Sequence, residues 1–155
     1  MSGVFAGLIG SVKAAAVVPT NLVLNGSATT TSTTNWTAAS RNTSIFKTTP
    51  ASWMSVNYPS TETQAVEYFN ANMLTVGTRY SLSFWARAIY PGFPITVTFY
   101  TGSGSTITIN PSTTAFEYFK IENQLCTATN GGIFIDSLAD FYIDDVAIVA
   151  GSTAL

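Results

Sequence analysis

The sequence predicts an all-β domain, an antiparallel β-sandwich of two packed sheets, on three observations. Several stretches alternate apolar and polar residues with period two, while none after residue 20 holds an i, i+3, i+4 apolar pattern for three turns. Threonine supplies 24 of the 155 residues, and its β-branched side chain suits a pleated, half-wet surface better than a helix. Turn signals fall between the alternating runs, at Asn25-Gly26, Pro91-Gly92, Gly102-Ser103-Gly104 and Gly131-Gly132. Eight or nine short strands in roughly 130 residues is the pattern of a sandwich.

The chain divides into an N-terminal apolar arm (1–20), the sandwich (21–150) and a short tail (151–155). In the arm the single charge, Lys13, follows the apolar run, whereas a secretion signal places its charge first. The run is also too short and too glycine-rich for a transmembrane span. Written as a helix, it aligns Phe5, Leu8, Ile9 and Val12 in one apolar stripe, with Gly3, Gly7, Ser11 and Ala15 in a small-residue ridge. Such an arm is expected to be buried against its own domain or a second chain, and so to serve assembly.

Within the sandwich the clearest strands are Tyr80 to Ile89, Ile95 to Thr101, Thr106 to Ile109 and Phe141 to Val149. Weaker candidates are Asn21 to Asn25, Ser52 to Tyr58, Gln64 to Asn70, Phe116 to Glu122 and Gly132 to Leu138. Alternation assigns faces in the best of them. Tyr80, Leu82, Phe84, Ala86 and Ala88 share one side, and Ser81, Ser83, Trp85, Arg87 and Ile89 the other.

Composition excludes several functions. Only 9% of residues are charged, against about 25% in an ordinary domain. A net charge of −2 leaves nothing to neutralise a run of phosphates, so nucleic acid is not the partner. No histidine is present, which removes His-based triads and His-ligated zinc. The single cysteine, Cys126, allows no internal disulfide. Among the acids, the spacing of Glu62, Glu67, Glu117 and Glu122 singles out no glycosidase pair. The chain reads as no enzyme.

A binding face is suggested by the loop 91–94. If it closes a hairpin, Trp85 lies opposite Tyr100 and Arg87 opposite Thr98. An aromatic pair beside a guanidinium in a field of hydroxyls suits a sugar, whose CH faces stack on rings while its OH groups bond to the polar rim. Burial of Trp85 beneath a loop or subunit is the alternative. Glu67 and Glu117 sit mid-strand, where they either receive hydroxyls or pair with Arg79 or Lys120.

Asn21-Leu-Val-Leu-Asn-Gly26, Trp36, Tyr80-Ser-Leu-Ser-Phe-Trp-Ala-Arg-Ala88, Phe116-Glu-Tyr-Phe119 and Phe141-Tyr-Ile-Asp-Asp-Val146 resemble, in order, carbohydrate-binding modules of the family 4/9/22 type. The resemblance implies a galactose-binding-like jelly roll. It also implies a structural calcium, with Asp144 as the matching ligand, although Ser27-Ala28-Thr29 stands where the family places an acid. A hydrogen-bonded structural Asp144 is the competing expectation. The opening MSGVFAGLIGSV is similar to the start of small bacteriophage virion proteins.

From its opening on Met1, the chain is expected to stand without the linker, catalytic domain or export signal that accompany a module appended to an enzyme. The leading expectation is therefore a non-catalytic structural protein of a viral particle, a capsid decoration or a tail or fibre component. It would form a homo-oligomer and dock to a larger capsid or tail protein through the arm. The alternative is a free-standing carbohydrate-binding module, extracellular, recognising a polysaccharide or cell-surface glycan through Trp85, Tyr100 and Arg87.

Overall fold

A computed structural model describes residues 19–58 and 63–155. The proposed assembly arm, with Phe5, Leu8, Ile9 and Val12, lies outside the described residues. Eleven strands are present among the rest: β1 (Trp36–Ala38), β2 (Ser40–Asn42), β3 (Ser52–Met54), β4 (Val56–Tyr58), β5 (Thr63–Asn70), β6 (Arg79–Ala88), β7 (Ile95–Tyr100), β8 (Ser105–Ile109), β9 (Glu117–Leu125), β10 (Gly131–Ser137) and β11 (Phe141–Ala150). They form the expected antiparallel sandwich. One sheet has six strands in the order β1-β5-β10-β7-β8, with β4 also paired to β5, and the other has five in the order β2-β3-β11-β6-β9.

The face assignment of β6 holds: Tyr80, Leu82, Phe84, Ala86 and Ala88 are buried in the core, while Trp85 and Arg87 stand half-buried on the outside. From the opposing sheet come Val66, Tyr68, Val97, Phe99, Ile133 and Ile135, each withdrawn from water. Burying side chains of this size is worth about 1.5–3 kcal/mol each. At one end Trp36 packs on Trp53 and Tyr68, with ring centroids 4.8 and 5.0 Å away. Their polar atoms reach the incoming chain: Trp36 Nε1 donates to the Leu24 carbonyl and Trp53 Nε1 to that of Asn25.

The hairpin expected from β6 and β7 does not form. β6 pairs with β11 and β9, and β7 with β10 and β8. The six-residue connection 89–94 therefore crosses from one sheet to the other, so that the apolar faces of β6 and β7 oppose each other across the core. Period two tells which face a residue takes, but carries no information about which strand lies beside it.

Asn21 to Asn25 is not a strand either. Its segment touches β11 at separate points: Leu22 N–H donates to the Ile148 carbonyl, the Asn21 amide bonds both Val146 and Ile148, and Val146 N–H donates to the Gly26 carbonyl. Gly26 is required there, since a Cβ would overlap the Val146 backbone. This docking coincides with a bulge in β11 between Asp144 and Ala147, where Asp145 has φ 49°. The predicted Ser52 to Tyr58 strand is split at Ser55, β3 going to one sheet and β4 to the other. No helix among the described residues is long and apolar enough to cross a membrane.

Candidate functional site

The sandwich presents two outer faces, and they divide the residues singled out from sequence. Trp85 and Arg87 project from β6 in the five-stranded sheet, whereas Tyr100 ends β7 in the six-stranded sheet. The three therefore make no single site. Opposite Trp85 stands Tyr118 of β9, its ring centroid 5.5 Å away.

The five-stranded face is closed over by segments of the chain itself. Lys47, in the loop between β2 and β3, sits with Nζ 4.5 Å from the Trp85 ring. Arg87 Nε donates to the Thr113 carbonyl. Along the tail, the Ser81 hydroxyl donates to the Gly151 carbonyl, the Ala154 N–H to Glu122, and the Tyr118 hydroxyl to the Leu155 carbonyl. Lys120 pairs with Glu122 at 2.9 Å, and Arg79 donates to the Asn123 carbonyl.

Asp144 lies at the centre of that closure and is fully buried. Its carboxylate accepts three backbone N–H groups, from Lys47 (2.9 Å), Thr48 (2.8 Å) and Asp145 (2.8 Å). Burial pushes this carboxyl up to about 6 against those three donors, and the neighbouring Asp145 charge pushes the same way. Asp145 in turn accepts the hydroxyls of Ser27 and Thr48. The calcium that the family resemblance implies does not fit this donor set. Both Asp144 oxygens are already aimed at by N–H dipoles, and Arg41 Nε donates to the adjacent Ala28 carbonyl. No cluster of three or more His, Cys, Asp or Glu that would hold a metal occurs among the described residues. Asp144 has instead the hydrogen-bond partners that the competing, structural expectation calls for.

The six-stranded face has a different composition. The registers of β5, β10, β7 and β8 lay its outward side chains out in rows. One row is Phe69, Gly132 and Tyr100; the next is Glu67, Phe134, Thr98 and Thr106; the third is Ala65, Asp136, Thr96 and Thr108. Neighbours in a row are roughly 4.8 Å apart, one strand spacing. Phe69 and Tyr100 are each 40% exposed and flank Gly132, which has no side chain to fill the space between them. Gly132 is fixed by close approach of the strands, because a Cβ there would overlap the Tyr68 carbonyl. Thr98 and Thr106 share a hydrogen bond at 3.2 Å and Thr37 donates to Glu67. Burial raises the carboxyl of Asp136 from its ordinary range.

The result is a grid with two exposed rings about two strand spacings apart, a third ring behind them, and hydroxyl and carboxylate groups around. Rings can stack on the CH faces of sugars, and the carboxylates and hydroxyls can bond their OH groups. Of the sequence candidates only Tyr100 belongs to this grid. Phe69, Phe134 and Asp136 were not singled out, and Glu67 only as a mid-strand acid, because β5 and β10 meet from distant parts of the chain. A groove at one end of the sandwich, lined by Leu22, Met73, Thr75, Tyr80 and Ala150, gathers no charged group.

No protein-family model matches the chain, and no curated protein sequence does. Solved structures do. A family 61 carbohydrate-binding module, TmCBM61, in complex with β-1,4-galactotriose is similar over 85% of this chain and 99% of its own, at 13% identity and a TM-score of 0.64. The family 22 xylan-binding domain of Paenibacillus barcinonensis Xyn10C is similar over 90% of this chain and 100% of its own, at 13% identity and a TM-score of 0.60. The enzymatically active domain of tailspike protein 4 from bacteriophage CBA120 is similar over 84% of this chain but 21% of its own, at 17% identity and a TM-score of 0.61. At these identities the likeness is one of fold, and the fold is the jelly-roll sandwich of carbohydrate-binding modules of the family 22 and 61 type.

Proposed function

We propose that this protein is a non-catalytic carbohydrate-binding module that takes a polysaccharide across the outer face of its six-stranded sheet. The observation that carries this is the row Phe69, Gly132 and Tyr100, two exposed rings flanking a position without a side chain, with Glu67, Asp136 and threonines in the rows beside it. The fold adds support, since the xylan-binding domain and the galactotriose-bound module share it. This reading takes the alternative of the sequence analysis above its leading one. It also moves the site: Tyr100 stays, and Trp85 and Arg87 give way to Phe69 and Phe134. Placement in families 4, 9 or 22 in particular rests on the sequence pieces alone. A glycan ligand fits an extracellular or particle-surface location.

Titration calorimetry with soluble β-1,4-galactan and xylan, backed by a glycan array, tests the proposal. Wild-type protein should bind at least one of these polymers saturably, and the Phe69→Ala/Tyr100→Ala double variant should not. Failure of the wild type to bind anything in the panel removes the reading.

A second role, as a component of a phage particle, is favoured by the likeness to the tailspike domain and by the similarity of residues 1–12 to virion proteins. The two roles are compatible, since a particle protein can carry a glycan-binding sandwich. Light scattering on the full chain and on a variant lacking residues 1–18 tests it. A monomer in both cases counts against an assembly arm.

A further inference from the structure

The groove lined by Leu22, Met73, Thr75, Tyr80 and Ala150 has a volume of about 530 Å³, and Pro19 and Thr20 also line it. Its walls are held by backbone hydrogen bonds. Leu22 N–H donates to the Ile148 carbonyl of β11, and Thr75 N–H to the Tyr80 hydroxyl. The turn after β5 is tied down by Leu74 N–H on the Thr129 carbonyl and by Gly77 N–H on that of Cys126. Leu22 and Met73 are partly buried against the core, and Tyr80 is buried. The groove is thus formed before anything enters it, and what it offers an occupant is mainly apolar surface.

The chain outside the described residues begins at the edge of this groove. Residues 1–18 precede Pro19, and they carry Phe5, Leu8, Ile9 and Val12 with a single charge, Lys13. An apolar cavity of about 150 Å³ takes one benzene-sized group, so the groove has room for about three of those four side chains. Seating them there removes an apolar stripe from water. Covalent connection decides whose segment enters. A tethered segment meets the groove at an effective concentration in the millimolar range, about a thousandfold above that of a second copy at micromolar protein.

We infer that this groove is the seat of the chain's own N-terminal segment, with side chains among Phe5, Leu8, Ile9 and Val12 inserted between Leu22, Met73 and Ala150. The inference stands apart from the glycan-binding reading, which concerns the outer face of the six-stranded sheet. It competes with an exchange of arms between copies.

Disulfide trapping in the full chain tests it. Thr75→Cys, at an exposed position of the groove, is combined in turn with Leu8→Cys, Ile9→Cys and Val12→Cys. In the control, Thr106→Cys on the outer face of the six-stranded sheet takes the place of Thr75→Cys. A disulfide forms only where the two Cα atoms come within about 7 Å. Under mild oxidation at micromolar protein, at least one arm position should link to position 75 within a single chain. Its yield should be about tenfold that of the control, with the linked pair identified by peptide mass so that the buried Cys126 is not mistaken for a partner. As a second readout, Leu8→Ala/Ile9→Ala should lower the melting temperature by about 5 °C. A link between two chains overturns the inference in favour of exchange between copies. Equal yields at positions 75 and 106, no link at either, or an unchanged melting temperature also overturns it.

Discussion

The two outer faces of this sandwich are packed on one core, yet they differ in what lies over them and in the side chains they present. On the five-stranded side the chain folds back over its own sheet: the loop carrying Lys47 and Thr48 seals Asp144, and residues 151–155 bond to Ser81, Tyr118 and Glu122. On the six-stranded side, rings stay exposed beside a glycine, among acids and hydroxyls. The difference teaches that a large aromatic residue on the outer side of a sheet need not be an open one. Trp85 is the larger ring, and it lies beneath Lys47 of the loop between β2 and β3.

The largest effect separating the faces concerns stability and comes from the sealed one. Asp144 titrates at about 6 in the folded protein, above its ordinary value of 3.8. The folded state therefore holds this proton more tightly than the unfolded chain. The group's contribution is full below the ordinary value and is lost as the pH rises through about 6. Urea unfolding between pH 4 and pH 7 should show this as a fall of about 2 kcal/mol, and Asp144→Asn should flatten that part of the curve. A wild-type stability that rises steadily over the same range would mean that Asp144 is ionised without penalty.

Next in size is the effect on binding. Tyr100→Ala should weaken polysaccharide affinity about tenfold or more, as loss of a stacking ring does, with little change in melting temperature. Trp85→Ala should do the reverse, leaving affinity within about twofold while lowering stability by about 1 kcal/mol through lost packing on Tyr118 and Lys47. If Trp85→Ala abolishes binding and Tyr100→Ala does not, the working face is the five-stranded one. The smallest expected effect is that of metal removal. With Asp144 satisfied by three N–H groups, EDTA should leave the melting temperature unchanged within about 1 °C.

Much of the architecture was legible in the chain, and the exceptions share a cause. Alternation in Tyr80 to Ala88 and Ile95 to Tyr100 sorts core from surface correctly, because that property is local. Pairing is not local. Nothing near Trp85 indicates that Tyr118 rather than Tyr100 lies beside it, and Glu67 meets Phe134 only through the pairing of β5 with β10. The three-residue strands β1 and β2 are too short to show a period, and they exist because β5 and β3 offer them an edge. Asn21 to Asn25 carries a short apolar run like that of a buried strand, yet it meets β11 at a bulge, where a regular ladder has no place. Trp53 and Tyr68 are both buried in the core, where their polar atoms are satisfied by the distant segment 22–25.

One feature of the topology bears on how the molecule comes into being. β11, the last strand in the chain, lies in the middle of its sheet, between β3 and β6, and it also receives the segment around Asn21 and Gly26. Until residues 141–150 leave the ribosome, β3 has no bridge to β6 and half of the core has no lid. Folding must therefore wait for nearly the whole sandwich to be synthesised, and it then joins residues more than a hundred positions apart in one late, slow step.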